Sequence, residues 1–416
     1  MSELRHKVLI IGGGAAGMMA AIAAGQTGAK AIIFEKNDRL GKKLLITGKG
    51  RCNVTNDCTV EEVMKNTPRN GKFLYSCLNG FSPADVISFF ENHGCVLKTE
   101  RGNRVFPESD KSVSILNALR KAMDEVGVEI RRERVREVLC EGGEVTGVRT
   151  DCGVHYGRRV ILCAGGCSYP LTGSTGEGYA ISEALGHSVV PVRGSLVPLV
   201  ETGSWCSQMQ GLSLRNVSVR LLNSKGKVVF SDFGELLFTH FGLSGPTVLS
   251  ASAHMKPGEQ YTVSIDLKPA LDEQKLDLRI LRDFEQYQNR DLENGLKDLY
   301  PKTMIPVIIE RSQLDPAAKV NSITKAERRR LLELTKNFTV DIAGTRPVEE
   351  AIITAGGISV KEIDPRTMES KIVKGLYFAG EIVDLDAYTG GFNLQIAWST
   401  GYAAGTAAGH MEAYYD

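Results

Sequence analysis

Strand, glycine turn, helix and a second strand closed by an acid follow one another without interruption near the start of this chain, and few folds accept that order. Lys7-Val8-Leu9-Ile10-Ile11 has strand composition, and Gly12-Gly13-Gly14-Ala15-Ala16-Gly17 fits G-x-G-x-x-G. An Ala/Met-rich stretch to Ala24 reads as a helix, and Ala31 to Phe34 as a strand ending on Glu35. In such a unit Gly12 permits the tight turn, Gly14 lets backbone approach a pyrophosphate, and Gly17 lets helix and strand pack closely. The helix N-terminus offers free N–H groups and positive dipole to phosphates. Glu35 accepts hydrogen bonds from ribose hydroxyls and would repel a 2′-phosphate, so the resident dinucleotide is read as FAD or NAD, not NADP.

The alternative for Val8 to Ala24 is a signal or membrane segment, since the stretch is uncharged and Arg5 and Lys7 precede it. A spanning helix needs about 20 apolar residues, and each glycine costs a helix about 1 kcal/mol against alanine. Three consecutive glycines therefore favour the nucleotide turn.

At 416 residues the chain is long enough for two or three domains. Its 50 basic and 49 acidic side chains leave a net charge of +1, which points away from nucleic acid and anionic membranes. The basic runs Arg131-Arg132-Glu133-Arg134 and Arg328-Arg329-Arg330 read as solvated faces. Nine cysteines without a C-x-x-C pair argue for a reducing, cytoplasmic setting and against a disulfide framework or zinc ribbon.

To about Pro191 strand and helix patterns alternate, as in a parallel sheet with covering helices. Val160 to Ala164 reads as a buried strand running into Gly165-Gly166. Near Arg193 the texture turns β-rich, through Leu196 to Leu222, Lys227 to Phe230 and Tyr261 to Leu267. About Asp272 to Lys336 is rich in Leu, Glu, Lys and Arg at helical spacing, and the α/β texture resumes with Phe338-Thr339-Val340. An insertion at about 194–336 within a nucleotide-binding domain is the economical reading.

Near the C-terminus, Leu376 to Ala379 is a strand ending on Gly380-Glu381, and Gly390-Gly391-Phe392-Asn393-Leu394-Gln395 opens an apolar helix. In FAD folds of the glutathione-reductase type an acid in the place of Glu381 binds the ribityl chain, which NAD lacks. The second helix N-terminus would face the flavin edge where negative charge gathers on reduction. The loop Gly41 to Asn56, with Lys42, Lys43, Lys49 and Arg51 among Gly41, Gly48 and Gly50, suits a pyrophosphate and a flavin edge. Gly173 to Tyr179 is a further glycine-rich run, read as close helix packing with cofactor contact at Thr172 or Gly173.

Over nearly its whole length the chain resembles a bacterial family of NAD(P)/FAD-dependent oxidoreductases with aminoacetone-oxidase-like and dehydro-bile-acid-reductase-like members. The matching segments are IGGGAAG at Ile11 to Gly17, LGKKLLITGKGRCNVTN at Leu40 to Asn56, FTHFGLSGP at Phe238 to Pro246, TAGGI at Thr354 to Ile358, and FAGEIVD with TGGFNLQIAWSTG. The resemblance implies an α/β fold: a glutathione-reductase-type FAD-binding Rossmann domain interrupted by an insert with a small β-barrel and a helical subdomain. The expected parts are 1–193 and 337–416 for the FAD domain, 194–270 for the barrel and 271–336 for the helical piece. It also implies pyrophosphate contacts at Ala15 and Ala16 and adenosine contacts at Glu35 and Lys36. Lys43, Thr47, Gly48, Arg51 and Asn53 would line pyrophosphate and flavin. Val135 would touch adenine, Ala164-Gly165 would pass beneath adenosine, and Gly380, Glu381, Asp384, Gly391, Phe392, Asn393 and Leu394 would bind ribityl and ring.

FAD passes hydride through N5. No second G-x-G-x-x-G follows, so NADH or NADPH would dock transiently. The first expectation is an NAD(P)H-linked reductase of a polarised C=C or C=O in a small organic substrate; the second is an amine or alcohol oxidase forming hydrogen peroxide. From another class comes a tRNA-modifying or RNA-binding flavoprotein, against which the near-neutral charge speaks. His240 and Tyr388 are candidate proton handlers, and Arg51 could assist an anionic transition state. Cys52 and Cys58 stand as C-x5-C, not the C-x4-C of disulfide flavoenzymes, and Cys52 reads as a packing thiol. Oligomeric state is left open.

Overall fold

Lys7–Ile11 (β1) is buried at four of its five residues, the continuous apolar pattern of a strand covered on both faces. The computed structural model describes residues 7–410. From β1 the chain passes through the helix Ala15–Gln26 (α1) to Lys30–Phe34 (β2). Ser112–Glu125 (α2) leads to Glu129–Arg131 (β3); Arg159–Leu162 (β4), Leu376–Phe378 (β5) and Phe392–Gly409 (α3) follow. The five strands form a parallel sheet in the order β5-β4-β1-β2-β3. Beyond β1 the chain turns toward β2, whereas β4 continues toward β5 on the other side. A crevice therefore opens outside the carboxyl ends of β1 and β4, where open α/β sheets bind ligands.

Helix α1 is buried continuously from Ala16 to Ala24, because the sheet covers one side and α3 the other. The two helices meet through small residues. A Cβ on Gly401 would lie 2.5 Å from the Ala16 carbonyl oxygen, and one on Gly405 2.2 Å from that of Ala20. Sequence ends some 380 residues apart thus share one helix–helix seam. Trp398, on α3, is fully buried and its indole N–H donates to the Val54 carbonyl at 2.9 Å. Trp398→Ala is expected to cost about 3–5 kcal/mol, as large-to-small core changes do, read as the shift of the denaturant midpoint.

The described residues divide into two compact units. One takes in the chain up to Ser195 and again from Val348; the other is Leu196–Pro347. Within the first, Val189–Ser195 pairs antiparallel with Ile353–Ile358, so the strands flanking the insert are stitched together. Val135–Glu141, Glu144–Thr150 and Val154–Tyr156 form an antiparallel meander.

The second unit holds a closed barrel of six strands: Leu199–Glu201, Gly242–Ser244, Val228–Phe238, Ser213–Asn223, Tyr261–Asp266 and Phe338–Thr345. Here the structure departs from the sequence reading. Phe338–Thr345 closes the barrel between Tyr261–Asp266 and Leu199–Glu201 instead of resuming the α/β sheet. Its pattern explains why: Phe338, Val340 and Ile342 are buried and alternate with more exposed neighbours, as on a barrel wall with one buried face. The helices Glu273–Gln286 and Lys325–Lys336 share one core with the barrel, where Leu276, Ile280 and Leu331 belong to the same cluster as Val219, Val263 and Phe338. Barrel and helical piece are one body, and the chain re-enters the first unit at Val348 rather than near 337.

Candidate functional site

An open cleft runs through the crevice, lined entirely by residues of the first unit and reaching from Glu35 and Val135 at one end to Glu381 and Leu394 at the other. Its floor is the turn Gly12 to Ala16 and the loop Cys163 to Gly165, the segments following β1 and β4.

Each glycine of the turn has its own reason. Gly12 has φ +102° and a Cβ there would sit 2.5 Å from the Cys163 carbonyl oxygen; one on Gly17 would sit 1.9 Å from that of Gly12. Gly14 is different: a Cβ there meets nothing within 4 Å, so the space before it is open. Neither α1 nor α3 has its N-terminus capped by a side chain. Two positive helix ends thus belong to one site, as a pyrophosphate and an electron-accepting ring require.

Glu35, at the tip of β2, is buried and lines the cleft. Its Oε2 accepts from the Gly13 N–H at 2.8 Å; its Oε1 accepts from the Asn37 N–H at 2.8 Å and side-chain amide at 2.7 Å. Lys36 donates to Thr175 at 2.8 Å and pairs with Glu177 at 3.2 Å. Val135, Ala164, Gly165, Thr172 and Gly173 also line the cleft.

At the other end, the Lys43 ammonium lies 2.6 Å from Glu381 Oε2 and 2.6 Å from Ser168 Oγ. Glu381 Oε1 accepts from Ser168 Oγ at 2.9 Å and from the Thr354 N–H at 2.9 Å. Burial would push this carboxyl up, but the Lys43 charge and these hydrogen bonds hold it below the usual carboxylate range. Thr47, Gly380, Asn393 and Leu394 line the cleft beside them. Asn393 also pins the segment before α3, accepting from the Ala387 N–H at 2.9 Å and donating to its carbonyl at 2.7 Å.

Other residues singled out in the sequence lie outside the cleft lining. The Asn53 amide, turned so that its oxygen meets the Gly391 N–H at 2.9 Å, holds the entry to α3. Gly391, φ +100°, admits no Cβ because the Thr55 carbonyl oxygen would lie 2.3 Å from it. Gly48, which is exposed, and Phe392, which is buried, are likewise absent from the lining. Asp384 is clasped by Asn70 at 3.0 Å, and burial raises its carboxyl despite Arg69 and Asn70. Arg51 is ion-paired with Glu100 and with Asp110 and stacks over Phe106, its centre 4.1 Å from the ring. His240 is exposed on the second unit beside Phe241, and Tyr388 is half-buried with its N–H on the Asn66 carbonyl at 2.9 Å. Cys52 is buried, and that burial pushes its thiol up to about 12, so it holds no ready thiolate.

Ser168 and Thr354 escaped the sequence reading, as did Glu133, which lines the cleft while its Oε2 meets His155 Nε2 at 2.6 Å. Thr354 begins the TAGGI segment, the one signal that could have drawn attention to it. Among the described residues no cluster of side chains is arranged to hold a metal ion, and no helix is long and apolar enough to cross a membrane.

A parallel sheet with this turn, two open helix ends and one cleft running from Glu35 to Glu381 fits a flavoprotein, and the protein is an FAD-dependent oxidoreductase. It belongs to the HI0933-like protein Rossmann domain family, whose model matches residues 6–407. It is 31% identical to the 3-dehydro-bile acid delta(4,6)-reductase of Clostridium scindens over 97% of this chain and 99% of that one. It is 32% identical to the ribosomal RNA dihydrouridine synthase of Escherichia coli over 96% and 97%. The fold is similar to that of the 3-ketosteroid-delta4-(5alpha)-dehydrogenase of Rhodococcus jostii, with TM-score 0.53 at 14% identity over 97% of this chain and 96% of that one.

Proposed function

We propose that this protein reduces a carbon–carbon double bond conjugated to a carbonyl, drawing electrons from NADH or NADPH, and that its substrate is a small enone. The observation that carries this is the single cleft joining the acid-tipped adenosine end at Glu35 to the Glu381 end beside α3. Bound there, FAD supplies hydride transfer at N5. The Gly12–Ala16 turn and the α1 N-terminus would hold the phosphates, and Glu35 the ribose hydroxyls. The positive end of α3 favours negative charge placed before it, and Ile11, Ile353 and Leu385 give the cleft apolar walls. Tyr388, on the segment before α3, is the proposed proton handler, and Arg51 the anchor of its cationic loop. Turnover that survives Tyr388→Phe with FAD retained would remove that residue from the scheme.

Saturating a dehydro-bile acid and turning uridine into dihydrouridine are the same operation: hydride is added to one carbon of a C=C in conjugation with C=O, and a proton to the other. The E. coli relative, matched at nearly the same identity and coverage, favours a second reading in which that bond belongs to a uridine of ribosomal RNA. Holoprotein reduced anaerobically with NADH or NADPH and mixed with a 4,6-dienone bile acid or with unmodified ribosomal RNA separates the two. The primary reading expects the dienone to restore the oxidised flavin band. Dihydrouridine detected in the RNA, with the dienone inert, would replace it with the second; peroxide formed from an amine or alcohol alone would overturn both.

Glu35→Ala is expected to weaken FAD binding about 10- to 100-fold, since a hydrogen bond to a charged group is worth about 1.5–3 kcal/mol. Titration of apoprotein with FAD by fluorescence quenching reads it.

A further inference from the structure

The carboxylate of Glu381 is bound on both oxygens by side-chain and backbone groups of the protein before any cofactor contact is considered. Oε2 takes the Lys43 ammonium at 2.6 Å, and Oε1 takes the Ser168 hydroxyl and the Thr354 N–H, each at 2.9 Å. Ser168 is itself held. Its N–H donates to Thr354 Oγ1 at 3.2 Å, the Cys167 N–H donates to the same oxygen at 2.8 Å, and Lys43 reaches Ser168 Oγ at 2.6 Å. Three segments, at Lys43, Cys167-Ser168 and Thr354, therefore converge on one acid, and Lys43 and Glu381 both line the cleft. An anion there repels phosphate and suits a hydroxyl donor. Lys43, lodged between an acid and a serine, acts as a counter-ion instead of a phosphate clamp, leaving the phosphates to the helix ends.

We propose that Ser168 and Thr354 are positioning residues which, with Lys43 as counter-ion, hold Glu381 as a fixed anionic acceptor for hydroxyl groups of the bound FAD. The inference rests on the flavin reading and adds to it the residues that make one of its contacts independent of pH. A buried carboxylate deprived of its cation is costly, so the acid would take up a proton instead. Glu381 in the intact network lies below the ordinary carboxylate range, so its anionic form persists as pH falls toward 5. Without Lys43 burial dominates and the loss of the anion moves up toward neutrality. Of the other titratable groups around it, Cys167 and Tyr179 are pushed up by burial and stay protonated, and Glu349 bears on Cys167. Asp384 is raised by burial and bears on Tyr179, so it needs its own control.

The test is FAD release from holoprotein, followed by the fluorescence of free flavin between pH 8 and 5. The wild-type dissociation constant is expected to stay flat. In Lys43→Met it should rise at least tenfold over that range, and in Ser168→Ala about threefold in the same direction. Thr354→Val should behave like Ser168→Ala, with Thr354→Ser restoring the flat profile. Asp384→Asn in the Lys43→Met background should leave the new limb in place. Profiles parallel to wild type in Ser168→Ala and Thr354→Val would overturn the inference even if Lys43→Met failed to fold, and so would a limb abolished by Asp384→Asn. A wild-type protein that takes up no FAD at any pH would instead strike the flavin reading itself.

Discussion

Gly17→Val is expected to yield protein without flavin, with a loss of stability above about 4 kcal/mol, the range reserved for severe backbone or core conflicts. Even the first carbon of a side chain would lie 1.9 Å from the Gly12 carbonyl oxygen and 3.4 Å from Cys163 Cβ. The blocking atom is backbone, and it belongs to the turn that shapes the cleft. Relief requires α1 to move off β1, which would remove its N-terminus from the site. Gly14→Ala makes the informative contrast. The Cβ there meets no protein atom, so folding should hold while FAD uptake falls, because the methyl group occupies space left for the cofactor. Denaturant midpoints and flavin-to-protein ratios, measured on both variants, separate the two effects.

Gly405→Val is the second large effect, and it reaches the site from 20 Å of helix away by rise alone, about 1.5 Å per residue. A Cβ there would fall 2.2 Å from the Ala20 carbonyl oxygen, and the Gly401 position one turn earlier is nearly as tight. Overpacking a well-filled core costs about 1–3 kcal/mol; here the opposing atoms are backbone on both sides, so at least the upper end is expected. Parting α1 from α3 would also separate the two helix ends that open on the cleft. The variant should therefore lose FAD affinity more than tenfold although residue 405 does not line the site. Unchanged affinity in a destabilised protein would show that the seam serves stability alone.

The parts of the site that could be read from sequence are those whose duty is local. Gly12, Gly14 and Gly17 act within one turn, Glu35 ends the next strand, and Gly380-Glu381 ends the last one; each is recognisable from its neighbours. What escaped depends on partners far along the chain. Arg51 looks like a phosphate ligand inside its cationic loop, yet Glu100 and Asp110, 49 and 59 residues on, engage it. Ser168 and Thr354 are ordinary hydroxyl residues until folding brings them to Glu381, 213 and 27 residues away. The barrel was visible as β-rich texture, but its closing strand lies beyond a helical stretch. Only the alternation of Phe338, Val340 and Ile342 distinguishes that strand from one in the parallel sheet.

Whether both ends of the chain build one FAD site is read from the flavin content of the purified protein, released by denaturation and identified by mass. About one FAD per chain is expected, recovered on adding FAD to stripped protein and lost in Gly17→Val. A colourless protein that takes up no added FAD, or one that binds FMN as well as it binds FAD, would contradict a shared FAD site.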